Sequence, residues 1–215
     1  SYKVKKTYDR YAKIYDFLVA HPLYRRGVEK ALNQALAEIP VPKEILDLGC
    51  GTGLASEVLL RRFPHARLNG LDYSEEMLKV YGKKFPNSTI LIGNFNTREI
   101  LSFPRKGRVN LENCFDLIVS TGALSEYGEF DKALPLVYSM LKENGHLINV
   151  ENRDNKLFTK ISEFLWSYKS QKMESLRDAC KNAGFSDIRT IETPGSLIFT
   201  RYMKYVVIAR KQKHN

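Results

Sequence analysis

The chain has 215 residues, which is enough for one full α/β domain and too few for two, and its 43% hydrophobic and 27% charged residues are typical of a globular protein. No apolar run approaches the roughly 20 residues of a membrane span, and no apolar core follows the basic residues 1–6, so we expect no secretory signal and a cytoplasmic location. Three widely spaced cysteines suggest neither a disulfide framework nor a zinc site. The net charge of +10 fits either scattered solvated faces or a surface for an anionic partner.

Apolar spacing predicts two helices before the first strand, at residues 8–20 and 24–38. Strands and helices then alternate to the end of the chain. The predicted strands are 44–48, 67–72, 89–92, 115–120, 146–150, 186–192 and 201–210, and a polar connection joins the third to the fourth. The predicted helices among them are 53–63, 74–85, 130–142, 156–169 and 171–183.

This alternation predicts an α/β fold with a parallel sheet and helices on both of its faces. In open sheets of this type a ligand binds beyond the carboxyl ends of the strands. Four candidate features fall at such ends: the glycine-rich turn after the first strand, Asp72, Gly93-Asn94 and Ser120-Thr121.

The glycine-rich turn follows the run Ile45-Leu46-Asp47-Leu48, and its glycines are Gly49, Gly51 and Gly53. A phosphate-binding loop needs Gly-Lys-Ser/Thr at its end, but Leu54-Ala55 follows Gly53. A dinucleotide fingerprint read from Gly49 needs a third glycine where Leu54 stands. The spacing therefore excludes both of these common glycine loops.

The turn, with the motifs after it, resembles that of the class I S-adenosylmethionine-dependent methyltransferases. Matching segments follow along nearly the whole chain: Leu71 to Leu78, Ile92 to Phe95, Asn113 to Ser120, Leu141 to Leu147 and Ala183 to Phe185. Residues 8–16, with tyrosines at positions 8, 11 and 15, are similar to the N-terminal helix of members that methylate quinones and phospholipids. Asn94 stands where the family usually has an aspartate.

The resemblance implies a Rossmann-like doubly wound sandwich whose seven-stranded, mostly parallel sheet has an antiparallel strand 7 between strands 5 and 6. It also implies a single methyltransferase domain, with residues 1–42 as a helical lid and 43–215 as the core. The implied cofactor is S-adenosylmethionine. Its expected binding residues are Tyr15, Asp47, Gly49, Cys50, Gly51, Gly53, Asp72, Tyr73, Met77, Asn94, Phe95 and Ser120.

Asp72 is expected to accept hydrogen bonds from both ribose hydroxyls, because a carboxylate has two acceptor oxygens. The alternative for Asp72 is a helix N-cap before Ser74, and the alternative for Met77 is plain helix core. Candidate bases are Glu126, Tyr127, Glu151 and the N-terminal tyrosines, and no residue is singled out as catalytic. No metal site is expected.

The resemblance implies methyl transfer to a small molecule or lipid head group. Two alternatives stay open: methylation of a protein or nucleic acid, which the charge of +10 suggests, and cofactor binding without catalysis. The methyl acceptor, its acceptor atom and the oligomeric state do not follow from the sequence.

Overall fold

A computed structural model of the protein describes residues 22–94, 99–105, 107–124, 130–152, 173–192 and 204–212. The predicted helices at 8–20 and 156–169 lie outside these ranges, as do Tyr15 and Phe95. The lid predicted for residues 1–42 therefore stays a prediction. None of the helices within the described ranges is long and apolar enough to cross a membrane.

The described chain contains five helices and eight strands. The helices are α1 (Pro22–Leu36), α2 (Leu54–Arg62), α3 (Glu75–Lys84), α4 (Phe130–Met140) and α5 (Met173–Asn182). The strands are β1 (Glu44–Leu48), β2 (Arg67–Asp72), β3 (Thr89–Asn94), β4 (Glu99–Ser102), β5 (Phe115–Thr121), β6 (Leu141–Asn152), β7 (Phe185–Glu192) and β8 (Lys204–Lys211).

All eight strands form one sheet in the order β4-β3-β2-β1-β5-β6-β8-β7. The pairs from β3 to β6 are parallel, whereas β8 runs antiparallel to both β6 and β7. The predicted antiparallel last strand between the fifth and sixth is thus confirmed. The order reverses between β1 and β5, so a crevice is expected beyond their carboxyl ends.

The predicted number of seven strands is wrong, because β4 adds an eighth at the edge of the sheet, antiparallel to β3. This segment lies in what the sequence suggests is a polar connection. It has four residues, Glu-Ile-Leu-Ser, and two apolar residues are too few to show a strand pattern. Gly93 lets β4 approach, since a Cβ there would lie 2.9 Å from Ile100 Cγ1.

Helices cover both faces of the sheet, as a doubly wound fold requires. Helices α1, α2 and α3 pack on one face over Ile45, Leu117 and Val119, and helices α4 and α5 pack on the other over Leu46 and Ile118. Side chains on alternate positions of β1 and β5 supply both cores, which is why these central strands read as continuous apolar runs. The second predicted N-terminal helix, α1, is therefore part of the core packing.

Candidate active site

The glycine-rich turn joins β1 to α2 at the point where the strand order reverses. The backbone N–H groups of Gly49 and Cys50 both donate to the carbonyl oxygen of Leu71, at 2.7 and 3.0 Å, which fastens the turn to β2. Gly53 closes the turn by donating to the Cys50 carbonyl at 2.8 Å and is the N-cap of α2. The turn is thus held rigidly at the carboxyl ends of two strands.

The three glycines of the turn all have positive φ angles, 70° at Gly49, 50° at Gly51 and 97° at Gly53, but they face different surroundings. A Cβ at Gly49 would lie 2.1 Å from Ala123 Cβ, and one at Gly53 would lie 2.1 Å from Phe85 Cε2. A Cβ at Gly51 would meet nothing within 4 Å. Gly49 and Gly53 are therefore needed for packing, whereas Gly51 borders open space that a ligand can fill.

Asp72 ends β2 directly beside this open space. Its Oδ2 accepts a hydrogen bond from Gly51 N and its Oδ1 accepts one from Ser74 N, each at 2.9 Å. The N-cap of α3 is Ser74, whose Oγ accepts from Met77 N at 3.3 Å, so the alternative that Asp72 is the N-cap is wrong. A carboxylate accepts up to about four hydrogen bonds, and these two backbone bonds are compatible with bonds to a ligand.

Asp47 lies fully buried beneath the turn, on the face covered by α2. Its Oδ2 accepts a hydrogen bond from Ser56 Oγ at 2.6 Å, and Ser56 Oγ lies 2.9 Å from Tyr81 Oη. Asp47 Oδ1 is buried without a hydrogen-bond partner. Burial, with a smaller contribution from the charge of Asp72, raises the pKa of Asp47 from its ordinary 3.8 to about 7.

Sequence reasoning missed Ser56 and Tyr81 as partners of Asp47. Gly70, which pairs with Asp47 in the sheet, makes their contact possible, because a Cβ there would lie 2.5 Å from Tyr81 Cζ. A glycine inside a strand often marks such a close approach, so Gly70 was the available signal.

Replacing Asp47 with asparagine is expected to remove a pH dependence of stability. Because the folded-state pKa of Asp47 is raised, its protonated form stabilises the fold fully below about pH 4, and this contribution is lost as the pH rises through about 7. The whole change is on the order of 4 kcal/mol. Denaturant unfolding at pH 4 to 8 measures it.

The gain in stability of Asp47→Asn over the wild type should therefore grow with pH across this range. The control is Asp178→Asn, because the Asp178 side chain is 68% exposed on α5. A difference between Asp47→Asn and the wild type that is constant from pH 4 to 8 would contradict the assignment.

Four further predicted cofactor residues lie in the turn or on neighbouring elements. Cys50 is 5% exposed, and burial raises the pKa of its thiol well above its usual range, so it packs as a neutral core side chain while its backbone shapes the turn. Met77, in the first turn of α3, is 2% exposed, and Tyr73 is half-buried against the core beside Asp72. The backbone of Asn94 ends β3 and pairs with Glu99.

Ser120 brings β5 into the same crevice. It pairs with Leu48 of β1 on one side and with Asn149 of β6 on the other. Its Oγ is buried without a hydrogen-bond partner, an arrangement that costs about 1–3 kcal/mol unless a ligand or water satisfies it. Two residues on, Gly122 has a φ of 73°, and a Cβ there would meet nothing within 4 Å.

Beyond Ser120, buried polar side chains continue onto β6 and β8. Asn149 Nδ2 donates to Glu151 Oε1 at 3.5 Å, and Glu151 pairs in the sheet with Tyr205. The sequence suggests Glu151 as a candidate base, whereas Asn149 and Tyr205 were missed. Asn149 is a polar residue inside the apolar run Leu147 to Val150, and this interruption was the available signal for it.

The structure thus brings together the turn, Asp47, Asp72, Tyr73, Met77 and Ser120 at one edge of the sheet. It does not describe Tyr15, Phe95, Glu126, Tyr127 or the side chain of Asn94. Across the described ranges, no group of three or more His, Cys, Asp or Glu side chains is placed to hold a metal ion.

Comparison with known proteins identifies the family. The model of a family described as a methyltransferase domain matches residues 42–204. A malonyl-[acyl-carrier protein] O-methyltransferase of Priestia megaterium is 27% identical over 143 residues, which make up 66% of this chain and 46% of that protein. A trans-aconitate 2-methyltransferase of Variovorax paradoxus is 29% identical over 139 residues, 62% of this chain and 49% of that protein. The chain thus spans about half the length of these relatives.

A solved structure shows the same fold. The Haemonchus contortus phosphoethanolamine N-methyltransferase 2, in complex with phosphomonomethylethanolamine and S-adenosylhomocysteine, superposes with a TM-score of 0.71 at 15% identity, covering 95% of this chain and 58% of that chain. The Rossmann-like fold is thereby confirmed, and the family match supports S-adenosylmethionine as the cofactor. Because that match extends over residues 42–204 of 215, the chain belongs to the methyltransferase domain family.

Proposed function

We propose that this protein transfers the methyl group of S-adenosylmethionine to a small molecule. The observation that carries the proposal is that the open space beside Gly51 lies next to the Asp72 carboxylate. Gly51 N donates a hydrogen bond to Asp72 Oδ2 at 2.9 Å. An adenosyl ligand needs a close backbone approach and an acceptor for its two ribose hydroxyls, and this pair of residues offers both.

Each part of the cofactor has proposed contacts in this chain. We propose that Asp72 accepts hydrogen bonds from the ribose hydroxyls above Gly51, and that Ser120 Oγ, which is buried without a hydrogen-bond partner, bonds the amino-acid part beyond β5. Asp47 supports the turn from below. The remaining proposed contacts are Gly49, Cys50 and Gly53 in the turn, Tyr73, Met77, Asn94 and Phe95 around the adenine, and Tyr15 over the sulfonium.

The sulfonium of the bound cofactor supplies an electrophilic methyl group, so the protein itself needs little covalent chemistry. Its own residues hold the donor at the carboxyl ends of β1, β2 and β5 and leave the acceptor to approach in line. Such alignment is worth up to roughly 7–11 kcal/mol of the barrier. The buried polar atoms near Ser120 lie away from bulk water, which strengthens their interactions with a reacting group.

A small molecule or a lipid head group is the proposed acceptor. The relatives named above are called malonyl-[acyl-carrier protein] and trans-aconitate methyltransferases, which supports a small acceptor. Among the described residues, several basic side chains pair with carboxylates, including Arg61 with Glu29, Lys142 with Asp116 and Arg189 with Glu38. These pairs place carboxylates beside the basic side chains, so these positions do not form the purely basic patch that would favour nucleic acid.

A transfer assay with S-adenosylmethionine labelled in its methyl group tests this function. The acceptors offered are trans-aconitate, phosphoethanolamine, a mixed phospholipid vesicle, RNA and an acidic protein. We expect label in a small molecule or head group, and far less label with the Asp72→Ala variant at the same cofactor concentration. Label found only in RNA or protein would contradict it.

A further inference from the structure

A continuous row of polar side chains crosses three strands next to the proposed donor site. Ser120 on β5 pairs with Asn149 on β6, and Glu151 on β6 pairs with Tyr205 on β8. Asn149 and Glu151 are two residues apart on one strand and therefore point to the same face. Each of the four residues is at most 1% exposed. We call these four residues the polar row.

The polar row lies on the sheet face opposite to Asp47. Leu48, which pairs with Ser120, and Leu147 and Val207, which lie two residues from Asn149 and Tyr205, belong to the core that α4 and α5 cover. Asp47 instead contacts Ser56 of α2 on the other face. Tyr205 packs in the same core as Leu176 and Cys180 of α5. Only Ser120 adjoins the glycine turn, since its sheet partner is Leu48. The polar row is thus a separate feature that begins at the donor site and leads away from it.

Three atoms of the polar row have unmet hydrogen-bonding capacity. Ser120 Oγ, Asn149 Oδ1 and Tyr205 Oη are buried without hydrogen-bond partners. Buried polar atoms are nearly always paired, so three orphans in one row need an explanation. A polar ligand bound along this row would supply partners for such atoms.

The chemistry of the polar row selects the kind of ligand. Asn149 turns its Nδ2 toward Glu151 Oε1 at 3.5 Å, which leaves its Oδ1 as the atom available to a ligand. Asn149 Oδ1 and the Glu151 carboxylate accept hydrogen bonds, and the hydroxyls of Ser120 and Tyr205 can accept or donate. The row contains no cation, so a carboxylate ligand would meet like charge, whereas an amine or hydroxyl group would find acceptors.

We propose that the polar row beyond Ser120, formed by Asn149, Glu151 and Tyr205, is the methyl-acceptor subsite, that it binds an amine or a hydroxyl group, and that Glu151 takes up the proton that this group releases. This inference rests on the methyl-transfer function proposed above. It identifies the acceptor as a nucleophile that still carries its proton, for which a base is needed.

The proposed step balances. The lone pair of the amine nitrogen or hydroxyl oxygen forms a bond to the methyl carbon, and the carbon–sulfur bond breaks with its electron pair going to sulfur. The N–H or O–H proton passes to a carboxylate oxygen of Glu151. The products are the methylated acceptor, S-adenosylhomocysteine and a protonated Glu151, which then returns its proton to water.

Three probe acceptors of nearly equal shape test the inference: 2-phenylethylamine, 2-phenylethanol and 3-phenylpropionate. Transfer of labelled methyl is measured for each, together with the affinity of the protein for S-adenosylhomocysteine. The amine or the alcohol is expected to react at least tenfold faster than the carboxylate. Preference for the carboxylate, or transfer to none of the three, would overturn the inference. If the wild-type protein does not bind S-adenosylhomocysteine, the proposed function itself is overturned instead.

Two variants separate chemistry from folding. Glu151→Gln keeps the size of the side chain and is expected to lower kcat at least 100-fold with unchanged S-adenosylhomocysteine affinity. Tyr205→Phe removes a hydroxyl that has no partner, so it is expected to keep or raise Tm while raising KM for the acceptor severalfold. Asp178→Asn on the exposed side of α5 is the control. Wild-type kinetics in both Glu151→Gln and Tyr205→Phe would refute the assignment.

Discussion

Replacing Asp72 with alanine is expected to weaken S-adenosylmethionine binding by at least about 100-fold. Hydrogen bonds to a charged group are worth about 1.5–3 kcal/mol each, and the proposed site loses two bonds to the ribose hydroxyls. The variant also loses the bonds that Asp72 accepts from Gly51 N and Ser74 N, which hold the turn in shape. Calorimetric titration with the cofactor measures the affinity. Asp72→Asn keeps one acceptor oxygen, so its affinity should lie between those of the wild type and Asp72→Ala.

Asp116 offers a matched control for this experiment. It also accepts two backbone N–H bonds, from Lys43 at 3.0 Å and Glu44 at 2.8 Å, but it lies at the amino end of the sheet. Asp116→Ala is therefore expected to lower stability without changing cofactor affinity. Equal affinity losses in Asp72→Ala and Asp116→Ala would show that the effect on binding is only structural and would contradict the ribose assignment.

Alanine at Gly51 is expected mainly to lower cofactor affinity, whereas alanine at Gly49 is expected mainly to lower stability. At Gly51, with a φ of 50°, the strain is about 1–2 kcal/mol and the new Cβ meets no protein atom within 4 Å. That Cβ fills space proposed for the cofactor, so we expect a loss of affinity of about tenfold or more. At Gly49 the same strain adds to a 2.1 Å contact with Ala123 Cβ, so we expect unfolding free energy to fall by about 3 kcal/mol or more.

Denaturant unfolding and cofactor titration of the two variants test this contrast. The expected result is a folded Gly51→Ala protein that binds poorly and a Gly49→Ala protein that is clearly less stable. If Gly51→Ala binds the cofactor as well as the wild type does, then the open space at Gly51 is not the cofactor site.

Much of the fold follows from local patterns in the sequence. The apolar runs at β1, β2 and β5 are each followed by a segment with the apolar spacing of a helix. This alternation predicts both the parallel sheet and the position of the crevice. The edge strand β4 could not be predicted in this way, because four residues with two apolar side chains have no pattern that distinguishes them from a loop. The turn at Asn144, which has a φ of 63°, lies inside the longer strand β6, whereas the sequence suggests a strand that starts only at residue 146.

The donor side of the site is predictable because its residues are local. The glycine turn and Asp72 each stand directly after an apolar strand, so their position at the sheet edge needs only the strand order. The hydrogen bond from Ser56 to Asp47 and the pairing of Glu151 with Tyr205 depend on packing and on the register of an antiparallel strand. Such contacts join residues far apart in sequence, and no local pattern encodes them.

Calorimetric titration of the folded wild-type protein with S-adenosylmethionine tests the central claim, that the turn and Asp72 form a methyl-donor site. Circular dichroism and a cooperative thermal transition establish beforehand that the protein is folded. We predict one site per chain with a Kd of roughly 1 to 100 μM. No binding heat and no shift in Tm at about 1 mM cofactor would contradict it.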